Sequence, residues 1–289
     1  MSSRANGDIE ARMIPTRPPR PIRLVALDLD NTLLSADRSV SARNIAALRA
    51  AAAQGIEIVL ASGRMLPAME PAAAALGLDV VLVSYNGAAI NGRASEGRPR
   101  ILHRPLHTEI ARELYAFARR ERLQVNYYLD DVIVSEDQPH LRPWIDIYIE
   151  RTGSPYRFVP SLGDYLDRAP TKLLLVMEPH RREAIADHFS ARLKDRADVV
   201  KTDPEYLEFL DPAANKGLAV QHIATQLGLD MSEVMAMGDG ENDVPLLQRA
   251  GWPVAVANAG AACKAVAAAS TIHDHDHDAV AEALEKWVL

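Results

Sequence analysis

The order of residues predicts an α/β protein, a doubly wound parallel-sheet core interrupted by an inserted α+β domain. Three observations carry this expectation. Short apolar, β-rich runs alternate with helix-spaced stretches at the start of the chain. Between about Asn86 and Asp211 the rhythm changes to strand pairs with intervening helices. From Asn215 the strand-helix alternation resumes. The expected division is a flexible tail over 1–20, a discontinuous core over 21–86 and 211–289, and an insert over 87–210.

Taken in order, Ile22 to Leu29 (IRLVALDL) is an apolar run that ends in acidic residues and reads as a buried strand. Ser41 offers an N-cap, the Ala- and Leu-rich stretch after it has helical spacing, and Gly55 stops it before a second strand, IEIVLAS. A helix from Arg64 to Leu76 and a third strand, Val80 to Val83, complete a β-α-β-α-β run, which calls for a parallel sheet with helices on its faces. In the insert, ILHRPL precedes a charged helix from Glu109 to Arg122. QVNYYLDDVIVS follows, with a turn at Asp130-Asp131, then TKLLLVM, a helix from Arg181 to Lys194, and the strands DVVK and YLEFL. The second half of the core reads as a helix to Leu227, the strand VMAMG, a helix from Val244 to Arg249, the strand PVAVA and two closing helices. No internal repeat of fixed period interrupts this order.

A chain of 289 residues with 48% hydrophobic and 25% charged residues can bury a full core and has room for two domains. Its net charge of -7 argues against a nucleic-acid binder, because that affinity comes largely from Lys and Arg neutralising phosphates. A small phosphorylated metabolite needs only a local cationic spot. The single cysteine, Cys263, rules out an internal disulfide framework, and a cytoplasmic home is expected. Apolar runs such as Val80 to Val83 fall far short of the ~18 residues needed to span a bilayer, so no membrane partner is expected. The N-terminal stretch has no apolar h-region and carries Asp8 and Glu10, and Met13 is an alternative start.

Chemistry gathers at strand ends. Asp28-Leu29-Asp30-Asn31-Thr32 closes the first strand, where ligands of open α/β sheets usually sit. One carboxylate there can attack phosphorus while its neighbour handles a proton, although isolated acidic turns are mostly solvated loops. Ser62-Gly63-Arg64 ends the second strand and offers a hydroxyl and free N–H groups at a helix start, the same pieces that make an ordinary N-cap. Asn215-Lys216-Gly217 opens a helix, and a lone Lys there is usually a solvated residue. Gly238-Asp239-Gly240-Glu241-Asn242-Asp243 follows VMAMG and supplies the hard oxygen ligands that magnesium prefers, or else a plain Gly-rich turn. Each motif is weak alone. Together, in order and in matching strand context, they supply a nucleophile, a proton carrier, a phosphate hydroxyl, a cation and metal ligands.

With these four motifs the chain resembles the haloacid dehalogenase (HAD) superfamily, in its Cof-type branch with an α/β cap of the C2B, class IIB kind, over about residues 22 to 289. The stretch GDGENDVPLLQRAGWPVAVANA is close to the usual fourth-motif segment of that branch, and Ser84-Tyr85-Asn86-Gly87-Ala88 looks like its passage into the cap. The resemblance implies a Rossmann-like core and a Mg2+-dependent phosphatase acting on small phosphate monoesters, a sugar phosphate or a phosphorylated cofactor. Asp28 would attack phosphorus, and Asp30 would protonate the leaving oxygen and then activate water. Asp28, the Asp30 carbonyl and Asp239 would hold magnesium. Ser62 and Gly63 would bind the phosphoryl group, Lys216 would offset charge between Asp28 and phosphate, and Asn242 would support the phosphate. Arg64, Asn86 and Asp243 would assist. Ser62 stands where Thr is more usual and Asn31 where Gly is common; Ser keeps the hydroxyl, and Asn tolerates turn geometry.

Phosphoryl transfer asks mainly for in-line positioning and balancing cations, and a carboxylate nucleophile splits one hard displacement into two easier ones. The same motifs serve phosphomutases, and a phospho-accepting signalling module also uses clustered Asp and a Lys, though without a lid. Monomer and homodimer are both open. The run His273 to Asp278, alternating His and Asp, invites a second metal, but alternation spreads its side chains apart and favours a solvated loop. Tyr127, Tyr128, Trp144, Tyr148 and Tyr156 are available to face a substrate, although aromatics are more often core. Arg119-Arg120-Glu121-Arg122 reads as a solvated helix end.

Overall fold

The structure is a computed structural model that describes residues 16–289. Most of the expected tail, with Met13, lies outside the described residues. The first half of the core runs β1 (Leu24–Leu27), α1 (Ala42–Ala53), β2 (Glu57–Ala61), α2 (Leu66–Leu76), β3 (Val81–Ser84), β4 (Ala89–Asn91) and β5 (Arg100–His103). Then come α3 (Thr108–Glu121), β6 (Gln124–Leu129), β7 (Val132–Ser135), α4 (Arg142–Thr152), β8 (Tyr156–Phe158), β9 (Leu173–Val176), α5 (Arg182–Arg192), β10 (Asp198–Lys201) and β11 (Tyr206–Leu210). The chain closes with α6 (Lys216–Gln226), β12 (Val234–Gly238), α7 (Val244–Arg249), β13 (Trp252–Ala255), α8 (Ala261–Val266), β14 (Ala269–Ser270) and α9 (Ala279–Trp287).

An eight-stranded sheet has the order β14-β13-β12-β1-β2-β3-β4-β5. It is parallel from β14 to β3, and β1 sits at its centre with Leu24 opposite both Val234 and Glu57. Every residue of β1 is buried, which is why the strand reads as an unbroken apolar run: helices cover both faces. Chain order reverses direction across the β1–β12 pair, so the crevice at the strands' carboxyl ends is the expected ligand position. Local signals behave as expected. Ser41 caps α1 by accepting from the Asn44 N–H at 3.1 Å, and Gly55, at φ 83°, follows its end.

The sheet extends further than the sequence suggests. β4 and β5 fall inside the stretch assigned to the insert, yet they pair antiparallel with β3 and with each other, so the first sheet reaches His103 rather than stopping near residue 86. β4 is buried but only three residues long, and β5, the open edge, is largely solvent-exposed, so neither shows an extended apolar run.

The second sheet has six strands in the order β10-β11-β9-β6-β7-β8. Ile110 and Leu114 of α3 and Ile185 and Phe189 of α5 pack with Leu173, Leu175 and Phe209 on one of its faces. Strand alternation puts Tyr128, Leu174, Val176, Tyr206 and Leu210 on the opposite face, which joins Tyr148 of α4 and meets Met65, Tyr85 and Ala88 of the first unit. Polar contacts fasten the junction: the Tyr85 hydroxyl donates to Asp131 at 2.9 Å, Arg100 pairs with the same carboxylate at 2.6 Å, and His103 Nε2 lies 2.8 Å from the Thr171 hydroxyl.

Candidate active site

The loops after β1, β2 and β12 and the starts of α6 and α7 converge on one crevice. Asp28 directly follows β1 and is buried, its N–H donating to the Met237 carbonyl of β12 at 3.0 Å. Asp239 directly follows β12. Lys216 is the first residue of α6, set by Asn215, whose side chain accepts from the Leu218 N–H at 2.8 Å. Its ammonium is fully buried and donates to Asp28 Oδ1 at 2.5 Å and to Asp243 Oδ1 at 2.6 Å. The other Asp243 oxygen accepts from the Asp239 and Gly240 N–H groups, both at 3.0 Å, so this carboxylate ties Lys216 to the loop. Close approach explains two glycines: a Cβ on Gly238 would fall 2.5 Å from Asp243 Cβ, and one on Gly217 would fall 2.2 Å from the Pro245 carbonyl oxygen.

Asp28, Asp239 and Asp243 bring carboxylate oxygens within 4.8 Å of one another. With Lys216 as the buried cation bonded to two of them, the cluster carries a net charge of about -2 when all are ionised. The cost is visible in their acidities. Burial, then the neighbouring Asp243, pushes the Asp28 carboxyl well above the usual range, with Lys216 opposing. Burial and Asp243 likewise raise Asp239 to about 6, against the Thr32 hydroxyl, which donates to it at 3.2 Å. For Lys216 burial pulls the other way, but the Asp243 and Asp28 carboxylates outweigh it and hold the ammonium charged. A divalent cation suits this donor set of hard oxygens, and a bound cation would reverse the pressure toward protonation.

Asp30 is placed differently from its neighbour. Its side chain is half exposed and is bridged through both oxygens by the Arg64 guanidinium, so its carboxylate stands outside the three-carboxylate cluster. Ser62 is buried at the end of β2, where its hydroxyl accepts from the Arg64 N–H at 3.1 Å. Asn242 donates to Asn86 Oδ1 at 3.0 Å, and the Asn86 side chain lies against Gly63. Asn31 and Asn86 both sit at φ 55°, left-handed positions that Asn tolerates. All ten residues expected at the site come together here.

The crevice opens into a cleft of about 410 Å³ whose opposite wall comes from the second sheet and α4. Tyr128 and Tyr148 line it, whereas Tyr127 packs on the far side of that sheet. Lys172, Glu208 and Arg151 line it too, and reading by sequence missed them. The His273 to Asp278 run is held against the core: Asp276 accepts from the Ala36 N–H at 2.8 Å and Asp278 from the Ser41 hydroxyl at 2.5 Å, while within the run Asp274 accepts from His277 Nδ1 at 2.6 Å. Among the described residues its side chains form no metal-ligand cluster.

A crevice of this chemistry on this fold defines a phosphoryl-handling hydrolase, and the family model of haloacid dehalogenase-like hydrolases matches residues 25–284. The chain belongs to this family. Its relatives include a protein of Streptococcus pyogenes serotype M6 named as a candidate phosphatase, 28% identical over 271 residues, with 93% of this chain and 99% of the relative covered. An HMP-PP phosphatase of Serratia proteamaculans is 28% identical over 249 residues, covering 82% of this chain and 84% of the relative. The crystal structure of a haloacid dehalogenase-like hydrolase from Bacteroides thetaiotaomicron superposes with a TM-score of 0.83 at 29% identity, over 92% of this chain and 99% of that one. The protein is a Cof-type enzyme of the family, a phosphatase. No helix among the described residues is long and apolar enough to cross a membrane.

Proposed function

We propose that this phosphatase is magnesium-dependent and hydrolyses small phosphate monoesters, sugar phosphates or a phosphorylated cofactor, through a phosphorylated Asp28. One observation supports it above the others: three carboxylates gather at the carboxyl ends of β1 and β12, two of them bonded to one buried lysine. Asp28 and Asp239, together with the Asp30 carbonyl, would hold the ion, because both oxygens of Asp243 are already engaged. When bound, magnesium would balance charge on the phosphoryl oxygens.

Asp28 attacks phosphorus as the bond to the leaving oxygen breaks, and Asp30 gives that oxygen its proton. Water then attacks the phosphorylated Asp28 while Asp30 takes a proton back, which releases phosphate and restores the carboxylate. For this work Asp30 must leave Arg64, an exposed pair worth only about 0–1 kcal/mol, so substrate can displace it. Ser62 and the N–H groups around Gly63 hold phosphoryl oxygens, with Lys216 offsetting charge and Asn242 and Asn86 bracing the rim. The second unit acts as the cap, and its own secondary structure starts at α3, since β4 and β5 pair into the first sheet. We expect the enzyme to work in the cytoplasm as a monomer or homodimer, without nucleic-acid or membrane partners.

A magnesium-dependent phosphate-release screen across phosphorylated metabolites tests this reading, with Asp28→Asn as the control. That variant is expected to lose activity by about 10⁴-fold or more while keeping its circular dichroism spectrum. Turnover by Asp28→Asn near the wild-type rate would overturn the mechanism.

A further inference from the structure

Across the cleft from Asp28, the cap presents a buried ion pair whose bonding is incomplete. Lys172, next to the start of β9, and Glu208, within β11, have side chains only 5% and 9% exposed, and they meet at 2.9 Å. Both line the cleft. Lys172 Nζ also lies 4.7 Å from the centre of the Tyr128 ring, and the Tyr128 and Tyr148 hydroxyls bond to each other beside it. An ammonium has three protons to donate and a carboxylate two oxygens to accept with. Among the described residues Lys172 donates one bond, to Glu208 Oε1, and Glu208 accepts no other.

A buried pair of this kind is costly unless further hydrogen bonds satisfy what remains. Apolar side chains of similar size would fill the wall at less cost, as Leu174 and Val176 do on the same face. The unused donors and acceptor stand side by side, and a hydroxyl both donates and accepts. Two adjacent hydroxyls on one ligand can therefore bond to Lys172 and Glu208 at once, with the two phenolic oxygens within the same polar patch. The charge of the wall points the same way. Lys172 and Glu208 cancel, and Arg151 is paired with Asp203 at 3.3 Å and lies 3.6 Å from Glu205, so this surface offers no surplus positive charge to a second phosphate.

Resting on the phosphatase reading above, we propose that Lys172 and Glu208 form the leaving-group subsite of the cap, and that it selects an uncharged leaving group with adjacent hydroxyls, as in the monophosphate of a sugar or polyol. The exposed Arg38 also lines the cleft, so a bisphosphate is the natural competitor to include.

The test compares kcat/KM of the full chain, with magnesium, for a hexose monophosphate, a polyol monophosphate, a hexose bisphosphate and nitrophenyl phosphate, whose leaving group has no adjacent hydroxyls. Wild type is expected to prefer the hydroxylated monophosphates. In Lys172→Met and Glu208→Gln the ratio of kcat/KM for hexose monophosphate over nitrophenyl phosphate should fall by about tenfold or more, because a site built to bond hydroxyls loses that discrimination when its partners go. Single variants leave a buried charge alone and can fail to fold, so Lys172→Met/Glu208→Leu, which removes both charges, carries the same measurement alongside its melting temperature. A ratio unmoved within about twofold in the folded double variant, or a bisphosphate preferred by wild type, would overturn the proposal. Failure of wild type to release phosphate even from nitrophenyl phosphate would instead count against the phosphatase reading. Turnover of nitrophenyl phosphate with no preference for hydroxylated esters would sink the subsite alone.

Discussion

Lys216 shows how much rests on one side chain. Its ammonium is fully buried and bridges two carboxylates that would otherwise face each other inside the protein. Removing one partner of a buried pair leaves uncompensated charge, so Lys216→Met is expected to lower stability by about 3–5 kcal/mol, read as a drop in the urea midpoint, and to abolish phosphate release. Lys216→Met/Asp243→Asn should recover part of the stability and none of the activity, because it removes a stranded charge without restoring the cation. A single variant as stable as wild type would overturn this account of the buried lysine. Such a role was only faintly legible in the sequence, where a Lys opening a helix looks like a surface residue. Lys172 and Glu208 gave less signal still: each belongs to a stretch that reads as a strand, and what marks them is their burial opposite each other, which needs the sheet order to be known.

At the scale of elements, the loop before α9 depends on Glu282. Its carboxylate accepts from the Ile272 N–H at 2.9 and 3.0 Å, from the His273 N–H at 2.9 Å, and contacts His273 Nδ1 at 2.9 Å. Burial pushes this carboxyl up, but those N–H groups and the His273 ring outweigh it and hold it below its ordinary 4.5. A carboxyl depressed by folding adds stability that is fully present above its unfolded value and is lost as pH falls through its folded one. Glu282→Gln should therefore lower the melting temperature at neutral pH and flatten the decline below about pH 4.5, where the wild-type advantage fades. Equal acid limbs for the two proteins would refute this. The elements themselves were readable in proportion to their burial. Parallel strands such as β1 and β12 appear as apolar runs because both faces are covered. By contrast α4 carries little sequence signal, since Pro143, Trp144, Ile145, Ile147 and Tyr148 give it weak helix propensity and it draws its helicity from packing over the cap sheet. β4 and β5 leave little signal for different reasons, β4 because it is only three residues long and β5 because an exposed edge strand carries no apolar run.

For the molecule as a whole, the expected metal ligands come from the ends of β1 and β12, which are distant in sequence and adjacent in the sheet. A ligand that binds only the folded state stabilises it by mass action, by about 2.7 kcal/mol at a hundred times Kd. Magnesium should thus raise the melting temperature of wild type with increasing concentration, chelation should reverse the rise, and Asp239→Asn should blunt it, a readout independent of turnover. An identical rise in Asp239→Asn would place the ion elsewhere. The same adjacency has a further consequence, for biosynthesis. β1 leaves the ribosome early but cannot acquire its β12 neighbour until Val234 to Gly238 has been made, on the order of ten seconds or more later at ~5–20 residues per second. The cap sheet, all of whose strands lie between Gln124 and Leu210, has its own partners and one apolar cluster ready before then. The order of synthesis therefore favours a nascent chain in which the cap is formed while the half-sheet holding Asp28 still waits for its missing edge. In such a chain the surroundings of Asp28, the proposed nucleophile, are completed last, after the cap sheet.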